Sequence, residues 1–152
     1  MSDTTSQVPP EIEGYLIDLS ARAGQIGGSL GGGRAGALGG ARGGARGAAR
    51  LTTKVEERSG DVPGSAEQVT SRLMQAFPKA IPMVAGDHLR IAVPVGLTGL
   101  QQVVVDAEFR PADDGHVHVL LRGFGKEGLI NRKPTRAITD QAWAAITSAA
   151  GT

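Results

Sequence analysis

A helical pattern of apolar positions opens the chain. Between residues 10 and 22 these positions recur every three or four residues and share one helix face: Ile12, Tyr15, Leu16 and Leu19. Pro10 is tolerated in a first helical turn, and Glu11 and Glu13 favour the positive end of the helix dipole. The pattern therefore predicts an amphipathic helix over 10–22.

A four-residue repeat of small residues then runs from residue 24 to residue 50. The first glycine column has no exception: Gly24, Gly28, Gly32, Gly36, Gly40 and Gly44. The second column is almost as regular: Gly27, Gly31, Ala35, Gly39, Gly43 and Gly47. The large side chains share a third column: Ile26, Leu30, Arg34, Leu38, Arg42, Arg46 and Arg50. Because each glycine costs roughly 0.8–1 kcal/mol relative to alanine in a helix, about a dozen of them disfavour an isolated helix by on the order of 10 kcal/mol.

The same spacing lets two helix backbones approach closely, so the repeat is either packed against another helix or disordered. Three interpretations stay open: a flexible low-complexity linker, self-association through the glycine columns, and contact with nucleic acid or a membrane. Self-association would use the first glycine column and its apolar neighbours: Leu16, Leu19, Gly24, Ile26, Gly28, Leu30, Gly32, Gly36, Leu38, Gly40 and Gly44.

The arginines of the repeat form a basic contact stripe: Arg34, Arg42, Arg46 and Arg50. In one interpretation they pair with acids on a neighbouring copy, since residues 1–21 carry only acidic charges and residues 22–50 only arginines. In another they give weak affinity for RNA or for anionic lipid headgroups. The segment has no interleaved Phe or Tyr to stack on bases, which weakens the RNA interpretation.

From residue 51 onward the pattern is that of an α+β domain. Alternating apolar positions predict four strands, at 51–58, 89–93, 103–109 and 117–121. Ser65 and Gln68 have capping-box spacing and begin a helix at 65–77, and a last helix spans 135–149. We expect an antiparallel sheet of about four strands, in the order β-α-β-β-β-α, with the helices on one face.

The predicted organisation is a disordered 1–9, a helix plus repeat over 10–50, and the α+β domain over 51–152. A similar order of elements occurs in ligand-binding folds in which a long helix lies across a curved sheet, but topology alone does not imply function.

Composition narrows the protein class further. The chain has no cysteine, which removes disulfide scaffolds, thiolate metal sites and a cysteine nucleophile. Its first residues lack the basic start and apolar core of a signal peptide, and it has no run of about 18 apolar residues. Abundant Ala and Gly, and more Arg than Lys, are typical of a high-GC genome and suggest a bacterial origin. We expect a cytoplasmic protein without a membrane span, with peripheral membrane association as an alternative.

Two features of the domain are compatible with a bound phosphate. Residues 123–128 match G-x-G-x-x-G, but Pro134 interrupts the helix that dinucleotide binding requires directly after the glycines. A loop over 123–134 explains them better. Bases around this loop and the last helix's N-terminus form a candidate anion site: Lys126, Arg132, Lys133 and Arg136.

His116, His118 and Glu108 are weak metal-ligand candidates. If the turn pairs Arg110 with His116, Glu108 faces His118 across the hairpin, and imidazole with carboxylate suits zinc. Polar pairing on an exposed sheet face is the simpler explanation.

No motif indicates catalysis or a cofactor. The sequence favours a non-enzymatic assembly protein, a homo-oligomer whose α+β domain is displayed by a self-associating N-terminal segment. The alternative is a ligand-binding domain on a flexible basic tether with weak affinity for nucleic acid or anionic membranes.

Overall fold

A computed structural model describes residues 7–83, 85–96, 99–127 and 133–148. Most of the predicted disordered N-terminus, residues 1–6, lies outside the described residues. The helices are α1 (Pro10–Arg50), α2 (Ala66–Ala76) and α3 (Pro134–Thr147). The strands are β1 (Thr53–Pro63), β2 (Ile81–Met83), β3 (Leu89–Val95), β4 (Gln101–Pro111) and β5 (His116–Lys126).

The α+β class is confirmed, and the described strands form one antiparallel sheet in the order β1-β5-β4-β3-β2. The sheet has five strands rather than about four, because β2 was not predicted. This strand has three residues and contains Pro82, so it lacks a readable alternation.

Two strands are longer than the sequence predicted. β1 continues to Pro63, past the expected break after Arg58, because Val62 is fully buried and Gly60 packs beneath Trp143. β5 continues to Lys126 and so includes the first residues of the loop expected over 123–134.

The main core lies between the sheet and the pair α2 and α3. The buried apolar side chains of this core come from both layers: Val62, Val69, Leu73, Phe77, Ile91, Val93, Val103, Val105, Ala107, Val117, Val119, Leu121, Ala142 and Ile146. The predicted capping box is present, since the Ser65 side chain accepts from the Gln68 amide and the Gln68 side chain accepts from the Ser65 amide. The α2 prediction is thus confirmed.

The other face of the sheet is covered in part by the first turns of α1. Ile12 and Leu16 are buried against Val104 and Phe124. These sheet residues face away from the main core because side chains alternate along a strand. The two helices of the α+β domain, α2 and α3, therefore lie on one face of the sheet, and the start of α1 packs on the opposite face.

α1 is not one straight rod. Gly32 and Gly33 leave helical geometry, and Gly33 has a φ of 59°, which glycine adopts without the steric penalty of a Cβ. The kink divides α1 into a first arm (10–31) and a second arm (34–50), which fold back on each other as described below. We call residues 10–50 the hairpin.

Candidate functional site

The two arms of the hairpin meet backbone to backbone. A Cβ added at Gly24 would lie 2.1 Å from the Gly40 carbonyl oxygen, and one at Gly28 would lie 2.0 Å from the Gly36 oxygen. A Cβ at Gly44 would lie 2.3 Å from the oxygen of Ser20. Residue numbers in each contact sum to 64, as expected for antiparallel arms. We call this contact the glycine seam.

The first glycine column is thus used inside the chain. Five of its members line the seam: Gly24, Gly28, Gly36, Gly40 and Gly44. Gly32, the sixth, sits at the kink. In the self-association interpretation of the sequence, close helix packing at these positions involves a second copy, and whether copies associate stays a prediction.

The second glycine column faces open space. At these five positions an added Cβ would meet nothing within 4 Å: Gly27, Gly31, Gly39, Gly43 and Gly47. We call them the open column. The hairpin therefore has a closed line of glycines and an open one with the same four-residue spacing.

The large side chains point away from the seam. Ile26 lies two residues after Gly24, about 200° around the helix, and Leu38 bears the same relation to Gly36. Ile26, Leu30 and Leu38 are accordingly 50%, 87% and 63% exposed. Arg34, Arg42, Arg46 and Arg50 are exposed as well. No residue from 24 to 47 is buried, and none belongs to either apolar cluster, so this stretch makes no core contact with the sheet.

Ionic and hydrogen-bonding contacts fasten the base of the hairpin. The Glu13 carboxylate accepts from the Lys126 ammonium and the Thr53 hydroxyl, and Lys126 also donates to the Leu51 carbonyl at 2.8 Å. Burial alone would raise the pKa of Glu13, but the Lys126 and Thr53 hydrogen bonds and the Lys126 charge outweigh it and lower this pKa. Leu16 is buried here and Leu19 is half-buried.

Of the predicted anion-site residues, two form ion pairs with acidic side chains, and one lies outside the described residues. Lys126 pairs with Glu13, and Arg136 lies 3.8 Å from Asp140. Arg132 lies outside the described residues, and Lys133 directly precedes α3. The backbone amide of Thr135, in the first turn of α3, donates to the Glu127 carboxylate at 3.2 Å. The Glu127 carboxylate thus accepts the hydrogen bond that a bound anion would otherwise receive at the start of α3.

The glycines of the G-x-G-x-x-G match serve packing. A Cβ at Gly123 would lie 1.9 Å from the Thr139 hydroxyl oxygen, and one at Gly125 would lie 2.4 Å from that of Thr135. α3 rests directly on β5 at these two positions. Gly128, the last glycine of the match, lies outside the described residues.

The predicted metal ligands do not converge. The hairpin register pairs Arg110 with His118 and Glu108 with Leu120, two residues away from the predicted register. His118 instead lies 2.7 Å from Asp61 on β1, and the His116 ring contacts the Asp114 carbonyl.

Glu108 belongs instead to a charged cluster on the sheet face that carries α1. The cluster consists of His88, Arg90, Asp106, Glu108 and Arg122. Asp106 is fully buried, and its carboxylate accepts from Arg90 at 2.9 Å and from Arg122 at 3.0 Å. His88 Nδ1 lies 3.4 Å from Asp106, and His88 Nε2 lies 4.0 Å from Glu108. Sequence reasoning could not bring His88 to these carboxylates, because His88 joins from the turn before β3 through long-range strand pairing.

His88, Asp106 and Glu108 place ligand atoms within 4.8 Å of one another, as a metal site would. However, Arg122 donates to both carboxylates and so occupies the position that a cation would take. Two guanidinium groups already balance the two carboxylates. The cluster therefore fits a role in fixing the register of three adjacent strands better than a role in metal binding.

Similarity to known proteins identifies no family for this chain. A scan of the chain against models of known protein families found no match, and neither did a search of curated proteins. Among the described helices, none combines the length and the hydrophobicity needed to cross a bilayer.

Proposed function

We propose that this protein is a non-enzymatic assembly protein, in which the α+β domain displays a glycine-rich helical hairpin that associates with the hairpins of other copies. One observation carries the proposal. The open column repeats the spacing of the glycine seam, and the seam is backbone-to-backbone packing by this very sequence. The open column offers the same packing to a partner.

The energy balance of the hairpin favours packing of a partner on the open column. About a dozen helical glycines disfavour the hairpin by on the order of 10 kcal/mol relative to alanine. The seam returns dispersion and Cα–H···O contacts of roughly 0.5–1 kcal/mol each, along one side only. Stacking a second hairpin on the open column would add a second set of such contacts.

Light scattering on the full chain tests the proposal, with the substitutions Gly39→Gln and Gly43→Gln together. Both positions have open space, and glutamine is a good helix former, so helicity should be retained or rise. We expect an oligomeric mass for the original chain and a monomeric mass for the double variant. Gly14→Gln, an exposed glycine outside the open column, should leave the mass unchanged.

A monomeric original chain at all concentrations, or an unchanged mass in the double variant, would contradict the proposal. Removing residues 1–50 is a poorer test. The truncation would uncover Val104 and Phe124, which Ile12 and Leu16 bury, and new association could follow from that exposure.

A further inference from the structure

We infer that the tip of the hairpin, residues 26–38, docks on an anionic lipid surface. The tip carries three exposed large apolar side chains, at Ile26, Leu30 and Leu38. Scattered exposed leucines are ordinary, but three of them on both sides of one turn form an apolar end to a projecting element.

Charge complementarity identifies the partner as anionic. Between Asp18 and Lys54 the only charged residues are five arginines: Arg22, Arg34, Arg42, Arg46 and Arg50. No acidic side chain in this stretch offsets them. Near an anionic bilayer each basic residue contributes about a fivefold gain in affinity.

The order of residues from the tip matches the layers of a bilayer surface. With a rise of 1.5 Å per residue, Leu30 lies about 4 Å from the turn along the helix axis, and Ile26 and Leu38 lie about 8–10 Å from it. Interfacial segments bury their apolar residues about 5–10 Å deep. Arg42 and Arg46, at about 14–20 Å from the turn, then reach headgroup level.

Arg34 lies close to the turn and limits the depth of insertion. Its long side chain can extend back toward lipid phosphates while its methylene groups stay in the apolar layer. The inferred contact is therefore shallow and does not span the bilayer, which agrees with the lack of a membrane-spanning helix among the described residues.

Other partners fit this surface less well. No aromatic residue lies between Tyr15 and Phe77, so the tip has no platform on which nucleic-acid bases would stack. A second copy that met this one tip to tip would place the same arginines opposite one another. Ile26, Leu30 and Leu38 each lie about 100° around the helix from the next glycine of the open column, so this inference and the proposed assembly use different faces of the hairpin.

Vesicle flotation of the full chain tests the inference, using phosphatidylcholine alone and an equal mixture with phosphatidylglycerol. We expect flotation only with the anionic vesicles. Leu30→Ser should weaken it at least tenfold, whereas Ile81→Ser, at an exposed isoleucine on β2, should not. Arg42→Glu with Arg46→Glu should also weaken it at least tenfold.

The charge control is Lys79→Glu with Arg110→Glu, which makes the same change of net charge at exposed positions of the α+β domain. A fluorescent probe reports insertion directly, because the chain has no cysteine and one introduced thiol is unique. A polarity-sensitive label on Leu30→Cys should shift to the blue on anionic vesicles, and the same label on Lys79→Cys should not.

Three results would overturn the inference. One is no flotation with anionic vesicles. The second is vesicle binding unaffected by Leu30→Ser and displaced by RNA, which would assign the surface to nucleic acid. The third is a lower solution mass after Leu30→Ser with unchanged vesicle binding, which would make the tip an interface between copies.

Discussion

The α+β domain and the hairpin hold together in opposite ways. In the domain, branched and aromatic side chains interlock between the sheet and the helices, and Ile91, Leu121 and Ile146 are fully buried. In the hairpin, the arms touch because side chains are missing, and no side chain from residue 24 to residue 47 is buried. A core of the first kind tolerates small changes of shape, whereas a backbone contact leaves no room for even one methyl group.

In both regions, glycine allows a closer approach than any other residue would. At Gly123 and Gly125 it lets the threonines of α3 rest on β5, just as at Gly28 and Gly40 it lets one arm rest on the other. The domain supplements such contacts with a large apolar core, but the hairpin beyond its base does not. The hairpin is therefore the part of the molecule with surface left to bury.

Truncating a core side chain gives the largest expected loss. Phe124 is fully buried beneath Ile12 and Leu16, so Phe124→Ala should lower the free energy of unfolding by about 3–5 kcal/mol. Leu38→Ala, at an exposed hairpin position, should change it by less than about 0.5 kcal/mol. Urea unfolding of both variants makes the comparison. Similar losses would mean that the hairpin has a core of its own.

Breaking the charged cluster should lower the free energy of unfolding by somewhat less than truncating Phe124. Arg90→Met leaves the fully buried Asp106 with Arg122 as its remaining guanidinium partner, so we expect a loss of about 3 kcal/mol in urea unfolding. His118→Gln, which removes an exposed pair with Asp61, should cost about 0–1 kcal/mol. An Arg90→Met protein as stable as the original would show that the cluster does not support the sheet.

Adjacent glycines of the second arm should respond with opposite signs. Gly40→Ala would place a methyl group 2.0 Å from the Gly24 oxygen, and the overpacking should open the hairpin at a cost of about 1–3 kcal/mol. Gly39→Ala, in open space within the chain, should instead stabilise the helix of the monomer by about 0.8–1 kcal/mol. Amide hydrogen exchange within residues 20–44 measures both effects. Equal protection in the two variants would rule out the glycine seam.

Acid should loosen the base of the hairpin before it unfolds the domain. The pKa of Glu13 in the folded chain lies below its ordinary value of 4.5, so its contribution is complete above that pH. The contribution is lost as the pH falls through the lowered folded-state value. Hydrogen exchange of the first arm, followed from neutral pH downward, should show this loss. The Glu13→Gln variant should lack this step, and identical profiles would exclude Glu13 as the anchor.

Local signals in the sequence were enough to predict most elements of the α+β domain. The capping box at Ser65 and Gln68 and the alternation along β3, β4 and β5 depend on neighbouring residues, so they could be predicted. β2 could not, because three residues with a proline carry no period. The register of β4 and β5 was displaced by two residues, a shift that keeps every side chain on its face and so leaves no trace in the apolar pattern.

The candidate sites were harder to predict, because their partners are distant in sequence. Spacing left two alternatives for Gly24 and Gly28, packing against another helix backbone or disorder. The spacing is also the same whether that helix belongs to the same chain or to another. The turn at Gly32 and Gly33 makes the partner helix part of the same chain. The sequence did not indicate this turn, because three consecutive glycines do not stand out within a glycine-rich repeat. Likewise, the grouping of His88 with Asp106 depends on the pairing of β3 with β4.

The most direct test of the account is the distance between the two arms. Spin labels on Asp18→Cys and Arg46→Cys, both exposed positions, would be separated by about 42 Å in one continuous helix. Antiparallel arms in contact, with axes about 8–10 Å apart or less, predict a narrow distribution below about 25 Å. A distance near 40 Å, or a broad distribution typical of a flexible chain, would contradict the hairpin.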